Sequence, residues 1–168
     1  MKKSISVLAL AVLLAAPSVY AQEGIGIGWD NGVSVKIPFA PVSLQVTGSF
    51  DSSIPEDDDL DTVTDAEIAA YVSYPFLDIR DSQLGVFGGF GLRPSTDDIT
   101  VGGTSYDKEL GYLIRFGLEP QTMVTDNIGL SGKLGLEIGI DPGYDGLDDS
   151  GATDVGAWGS VGVHWYLQ

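Results

Sequence analysis

The chain has 168 residues, 43% of them apolar, with 24 acidic side chains against 8 basic ones and a formal charge of −16. That balance excludes nucleic acid as a partner, because phosphate binding needs a basic surface. The absence of cysteine excludes a disulfide-stapled module, a thiolate metal site and a lipoprotein anchored at a cleavage-site cysteine.

The first element is not part of the fold. Lys2 and Lys3 precede an apolar run from Ile5 to Ala16, followed by Pro17 and Val19-Tyr20-Ala21. This is the layout of a secretory signal peptide over residues 1–21, cleaved after Ala21, and the run is too short to span a bilayer as a helix, which takes about 20 residues. Residues 22–168 then form one domain of 147 residues with 6 basic and 24 acidic side chains, a formal charge of −18.

Past Gln22 the recurring signal is alternation of apolar and small or polar residues, the strand period. Eight runs carry it: Glu23–Trp29, Val33–Phe39, Val42–Phe50, Ala66–Phe76, Gln83–Leu92, Lys108–Leu118, Ile128–Ile140 and Val155–Gln168. In the seventh, Ile128, Leu130, Leu134, Leu136, Ile138 and Ile140 share one face. Asp30-Asn31-Gly32 makes a tight hairpin turn after the first run. The links after the third, fifth and seventh runs are long and acidic, while those after the second, fourth and sixth are shorter or less acidic. Long links at one end and short ones at the other are the habit of membrane barrels, with the turns on the periplasmic side. The expected fold is all-β: an eight-stranded antiparallel up-and-down transmembrane β-barrel behind a cleaved signal peptide.

Volume assigns the faces. The polar face is crowded with glycine, which suits a narrow eight-stranded interior better than a water-facing surface. The apolar face carries Leu, Ile, Val, Phe and Trp on every run, so it points outward. Trp29, Phe50 and Phe90 then mark a belt at the cell-surface side, and Phe39, Tyr74, Phe76, Phe116 and Trp165 one at the periplasmic side, where interfacial rings sit. Tyr112, near mid-strand, is the exception. Inside, Lys36, Arg115 and Lys133 share the lumen face with Glu67, Glu109 and Glu137; unpaired charges there would be expensive, so a salt-bridged plug is expected rather than a gated ion path.

On these residues the chain resembles the small eight-stranded outer-membrane β-barrels, the class of the OmpA membrane domain and OmpX. One local motif carries the likeness: Ser160, Gly162, Trp165 and Leu167 match that class's C-terminal assembly signal, with Gln168 standing where a terminal Phe is usual. The resemblance implies a Gram-negative outer-membrane location, barrel-assembly machinery and periplasmic chaperones as partners, and contact with lipid and lipopolysaccharide. A monomer is expected, with no peptidoglycan-binding extension of the OmpA kind.

Chemistry is sparse. "GIGIGWD" lacks the preceding strand and following helix of a phosphate-binding loop. The single histidine, His164, faces the lumen four residues from Ser160, about 13 Å along a strand, too far for a nucleophile–base pair, so no catalytic residue is assigned. The acidic links make Asp57, Asp59, Asp61, Asp145, Asp148 and Asp149 candidates for Ca²⁺ or Mg²⁺, against the simpler reading of solvated, mutually repelling loops. The functional expectation is a structural or surface-interaction protein acting through acidic loops, with a largely plugged lumen and no cofactor. The alternatives are a narrow porin-like pore, then an outer-membrane enzyme or a soluble periplasmic barrel.

Overall fold

The computed structural model describes residues 24–53, 63–147 and 151–167. The strands are β1 (Ile25–Asp30), β2 (Val33–Phe39), β3 (Val42–Ser53), β4 (Val63–Ile79), β5 (Ser82–Arg93), β6 (Asp98–Val101), β7 (Thr104–Asp107), β8 (Gly111–Thr125), β9 (Ile128–Asp141) and β10 (Ala152–Leu167). Eight of them close an antiparallel barrel in the order β1-β10-β9-β8-β5-β4-β3-β2, and β6-β7 make a separate two-stranded ribbon. Every barrel strand pairs with its chain neighbours among the eight, and β1 pairs with β10 from Ile25↔Leu167 to Asp30↔Gly162 to complete the cylinder. Closure pairs β1 on both sides along its length, whereas β10 meets β1 only from Gly162 to Leu167.

The pairing register measures the tilt. Followed from Trp29 through Val33, Gly48, Ile68, Leu92, Tyr112 and Ile140, the ladder returns to β10 at Thr153. Trp29 itself pairs with Val163, so one circuit climbs ten residues. For eight strands that stagger means a tilt of about 40° and an interior only wide enough for side chains.

The faces divide as the alternation demands. Phe50, Val161 and Leu134 are 82%, 78% and 68% exposed on the outside, whereas Lys36, Arg115 and Lys133 are only 2–3% exposed within. Ordinary water-soluble folding runs the other way. The inward glycines make room for large neighbours: a Cβ on Gly89 would sit 2.2 Å from the ring of Tyr71.

Four sequence expectations change. The sixth run does not end at Leu118 but extends as β8 to Thr125. Pro120 still pairs with Leu84 of β5, because a proline removes one donor without forcing the chain out of the strand. At its other end β8 begins at Gly111, so Glu109 is an exposed link residue whose backbone N–H donates to Gly143, not a lumen residue. Within the link after β5, Gly102 and Gly103 with positive φ turn the β6-β7 ribbon.

The fourth change concerns the aromatic rings. Phe50, Phe90 and Tyr112 cluster toward the end carrying the long links, hereafter the loop end, and the rings of Phe90 and Tyr112 lie 6.1 Å apart. Phe39, Tyr74, Phe76 and Trp165 lie toward the opposite, turn end. Phe116 stands five residues into β8 from Gly111 and pairs with Leu136, nearer the loop end than the turn end. Trp29 is at the tip of β1, yet β10 continues past their pairing to Ala152, so Trp29 stands about midway up the barrel. Ring height depends on tilt and strand length, which strand parity does not capture.

Candidate functional site

Two balanced layers of charge cross the interior. Nearer the turn end, Lys36 Nζ donates to Glu119 Oε1 and to Gln121 Oε1, each at 2.7 Å. Lys133 Nζ donates to Asp30 Oδ2 and, at 2.7 Å, to Gln45 Oε1, and it lies 3.9 Å from Glu119. Gln45 Nε2 returns a bond of 2.8 Å to Asp30. Two cations thus face two carboxylates, all four of them buried.

Nearer the loop end, Arg115 forks across two carboxylates. Its Nη2 donates to Glu67 Oε2 at 2.9 Å and its Nε to Glu137 Oε2 at 2.6 Å, while Nη1 donates to Glu67 Oε1 and, at 2.6 Å, to the Tyr71 hydroxyl. Arg93 caps the same pair, with bonds of 2.8 Å to Glu137 and 3.2 Å to Glu67. Again two cations face two anions. An aromatic layer separates the sets: Tyr71 stacks on Trp158 at 6.0 Å and meets Phe87 edge-on at 6.0 Å. The guanidinium of Arg115 lies 4.2 Å above the Trp158 ring, a cation–π contact. Paired charges and rings therefore cross the interior.

Of the residues singled out from sequence, Lys36, Glu67, Arg115, Lys133 and Glu137 line the interior, but in two separate layers, and Glu109 belongs to neither. Asp30, Gln45, Arg93 and Glu119 complete the layers and escaped sequence reading. Asp30 was hidden in a turn signal and Glu119 by the proline after it; counting two residues on from Gly117 would have placed Glu119 on the lumen face.

His164 has a partner that strand spacing conceals. Ser34 Oγ lies 2.7 Å from its Nε2, and Gln45 Nε2 lies 3.4 Å away. Ser34 sits on β2 and His164 on β10, both opposite Gly28 of the intervening β1. With no side chain on Gly28, the two meet across it. Ser160 does not take part. The distance suits a nucleophile and base, but both residues are 1% exposed and lie within the packed interior.

At the loop end, the links after β5 and β9 are tied together. Lys108 bridges to Tyr144, Glu109 N–H donates to Gly143 O, Asp145 N–H to Asp107 O, and Lys108 Nζ lies 3.3 Å from Asp141. The Tyr144 hydroxyl donates to Asp97 Oδ2 at 2.7 Å. The adjacent carboxylate holds the phenol above its ordinary value, because ionising it would break that bond and set two anions together. The tie is intact below the ordinary phenol range and is lost as pH rises through the raised value. Spectrophotometric titration of the protein and of Tyr144→Phe should differ by one tyrosine ionising above the free-phenol value; a difference at the ordinary value would show that the tie is not made.

Asp145 therefore serves in this tie through its backbone, and Asp57, Asp59, Asp61, Asp148 and Asp149 lie outside the described residues. Among the described residues, no group of three or more His, Cys, Asp or Glu side chains is arranged to hold a metal ion. In the last strand Ser160 and Gly162 face inward while Trp165 and Leu167 face outward; Gln168 and the first 23 residues lie outside the described range.

Above the Arg93 layer the barrel opens into a cavity of about 600 Å³ that reaches from Asn31 and Ser49 on one side to Asp141 and Asp154 on the other. Compared with known proteins, the chain matches no family model, no curated protein and no solved structure.

Proposed function

We propose that this chain is an integral outer-membrane protein of the small eight-stranded barrel class, exported by cleavage after Ala21, with a closed lumen and a structural or surface-interaction role at its acidic loop end. The observation that carries the reading is the inverted distribution of polarity. All eight barrel strands present large apolar side chains outward, while charged groups sit paired inside. An apolar belt of that extent is costly in water and favourable in lipid. The rings of Phe39, Phe76 and Trp165 at the turn end, and of Phe50, Phe90 and Tyr112 at the loop end, suit the two bilayer interfaces. Barrel-assembly machinery and periplasmic chaperones are the partners this class requires, and lipopolysaccharide is the neighbour of the acidic loops.

No enzymatic role is assigned, since Ser34 and His164 lie where a substrate has no path. Closure is supported by the charge balance of the two layers, which leaves no uncompensated ion to conduct along. The test has two parts. The protein should fractionate with outer membranes and migrate faster on SDS gels unheated than boiled; recovery as a soluble, heat-unmodified periplasmic protein would sink the membrane reading. Purified protein in planar bilayers should give no steady conductance. Steady conductance that Glu119→Ala enhances would favour a narrow pore instead.

A further inference from the structure

The barrel wall is not equally tall on all sides. β1 stops at Asp30 and β2 starts at Val33, whereas β3 continues to Ser53 and β10 begins at Ala152. The β1 partners of β10 end at Gly162, and the β2 partners of β3 end at Gly48. Above the Asn31-Gly32 turn, the flank of β3 from Ser49 and that of β10 from Ala152 to Val161 therefore face each other with no strand between them among the described residues. They stand three interstrand spacings apart, about 14 Å. This gap begins at the level of Trp29, about midway up the barrel, and the cavity of about 600 Å³ lies directly behind it, bounded by Asn31, Ser49, Phe50 and Asp154. Gly156 faces this space, and a Cβ placed on it meets nothing within 4 Å.

The chemistry differs between gap and cavity. The gap is framed outside by Trp29, Phe50, Val155 and Val161, all exposed and apolar. Of the cavity's charges, Glu67 and Glu137 are held by the two arginines and Asp141 by Lys108. Asp51, Asp65 and Asp154 face inward without a salt bridge among the described residues, and Asp51 stands directly opposite Asp65 in the β3-β4 ladder. Like charges at such a position repel. The basic side chains on this side, Arg93 and Lys108, are already engaged, so the cavity focuses a negative potential.

We infer that this side opening is a binding site for a single-chain amphiphilic cation, which enters from the outer leaflet with its ammonium head against Asp51, Asp65 and Asp154 and its alkyl chain in the gap between β3 and β10. The inference rests on the membrane reading for the source of the ligand. An anionic lipid is excluded by the sign of the cavity, and a free cation alone would leave the gap between β3 and β10 unfilled.

The experiment uses the full mature chain in phosphatidylcholine nanodiscs with 12-bromododecyltrimethylammonium, whose bromine quenches tryptophan. Trp29 at the base of the gap should be quenched saturably by the cation. Anionic 12-bromododecanoate should give only the unsaturable quenching of bilayer partitioning. The combined Asp51→Asn, Asp65→Asn and Asp154→Asn variant should bind at least tenfold more weakly, and Gly156→Leu should weaken binding by filling the cavity while keeping every charge. Identical quenching curves for cation and anion, or a triple variant with the unaltered midpoint, would overturn the site. If Gly156→Leu does not fold, the triple variant decides, because its exposed side chains carry no packing. Heat-shifted migration is read on the same samples: its loss in the unaltered protein means that the membrane reading fails, and its presence without saturable quenching means that only the site does.

Discussion

Replacing Arg115 with methionine should lower the unfolding free energy by about 3–5 kcal/mol, the usual cost of removing one partner from a buried ionic set. Arg115 is the hub of the loop-end layer: it bonds Glu67, Glu137 and the Tyr71 hydroxyl and lies over Trp158. Its loss leaves two carboxylates in a narrow interior with only Arg93 to balance them, and the Tyr71 hydroxyl without its donor. The side chain of Arg93 is 41% exposed, so water screens it and Arg93→Met should cost about 1 kcal/mol or less. Urea unfolding in lipid vesicles, followed by tryptophan fluorescence, measures both. A combined Arg115→Met, Glu67→Gln and Glu137→Gln variant should recover much of the loss, since the penalty lies mainly in stranded charge. Equal losses for Arg93→Met and Arg115→Met would mean that the layer is wet and that its pairs carry little.

Gly28→Val should prevent the barrel from closing. A Cβ at Gly28 would stand 1.8 Å from the carbonyl oxygen of Val163 and 2.8 Å from the His164 Cα. These are backbone atoms of β10 at the seam, so no rotamer change relieves the clash, and β1 would have to move away from the strand that completes the cylinder. The Ser34–His164 contact passes over the same position and would be lost with it. In a membrane an open seam leaves two strands of unpaired backbone groups, each costing several kcal/mol. Gly88→Val is the matched control: it lies on β5, is exposed, and its Cβ meets nothing within 4 Å, so its stability should change by less than about 0.5 kcal/mol. The measurement is the fraction of each refolded variant that migrates as the unheated band. Folding of Gly28→Val to the same extent as Gly88→Val would contradict the close approach at the seam.

The signals that were legible in the sequence are all local. Strand number and the Asn31-Gly32 turn follow from a period of two and from turn chemistry, and the outward face and the inward placement of Lys36, Arg115 and Lys133 from the volumes on the two faces. Where local signals conflicted, the sequence misled. Pro120 hid the second half of β8 and with it Glu119, the partner of Lys36. The start assigned at Lys108 put Glu109 into a lumen it does not reach. The β6-β7 ribbon, only four residues to a strand, was too short to stand out from an acidic link.

The alternation of side chains, together with the volumes on its two faces, determined that this protein is an eight-stranded barrel with charge inside and apolar groups outside, because which residues share a face depends only on their own stretch of backbone and small residues alone fit a narrow interior. Which inward residue meets which depends on closure. The climb of ten residues around the barrel brings Ser34 to His164 across Gly28 and separates the charges into two layers. The same climb sets the short β1-β2 turn midway up the wall, beside a side opening. Those relations join residues as far apart as 130 positions in the chain, and only the closed tertiary structure decides them.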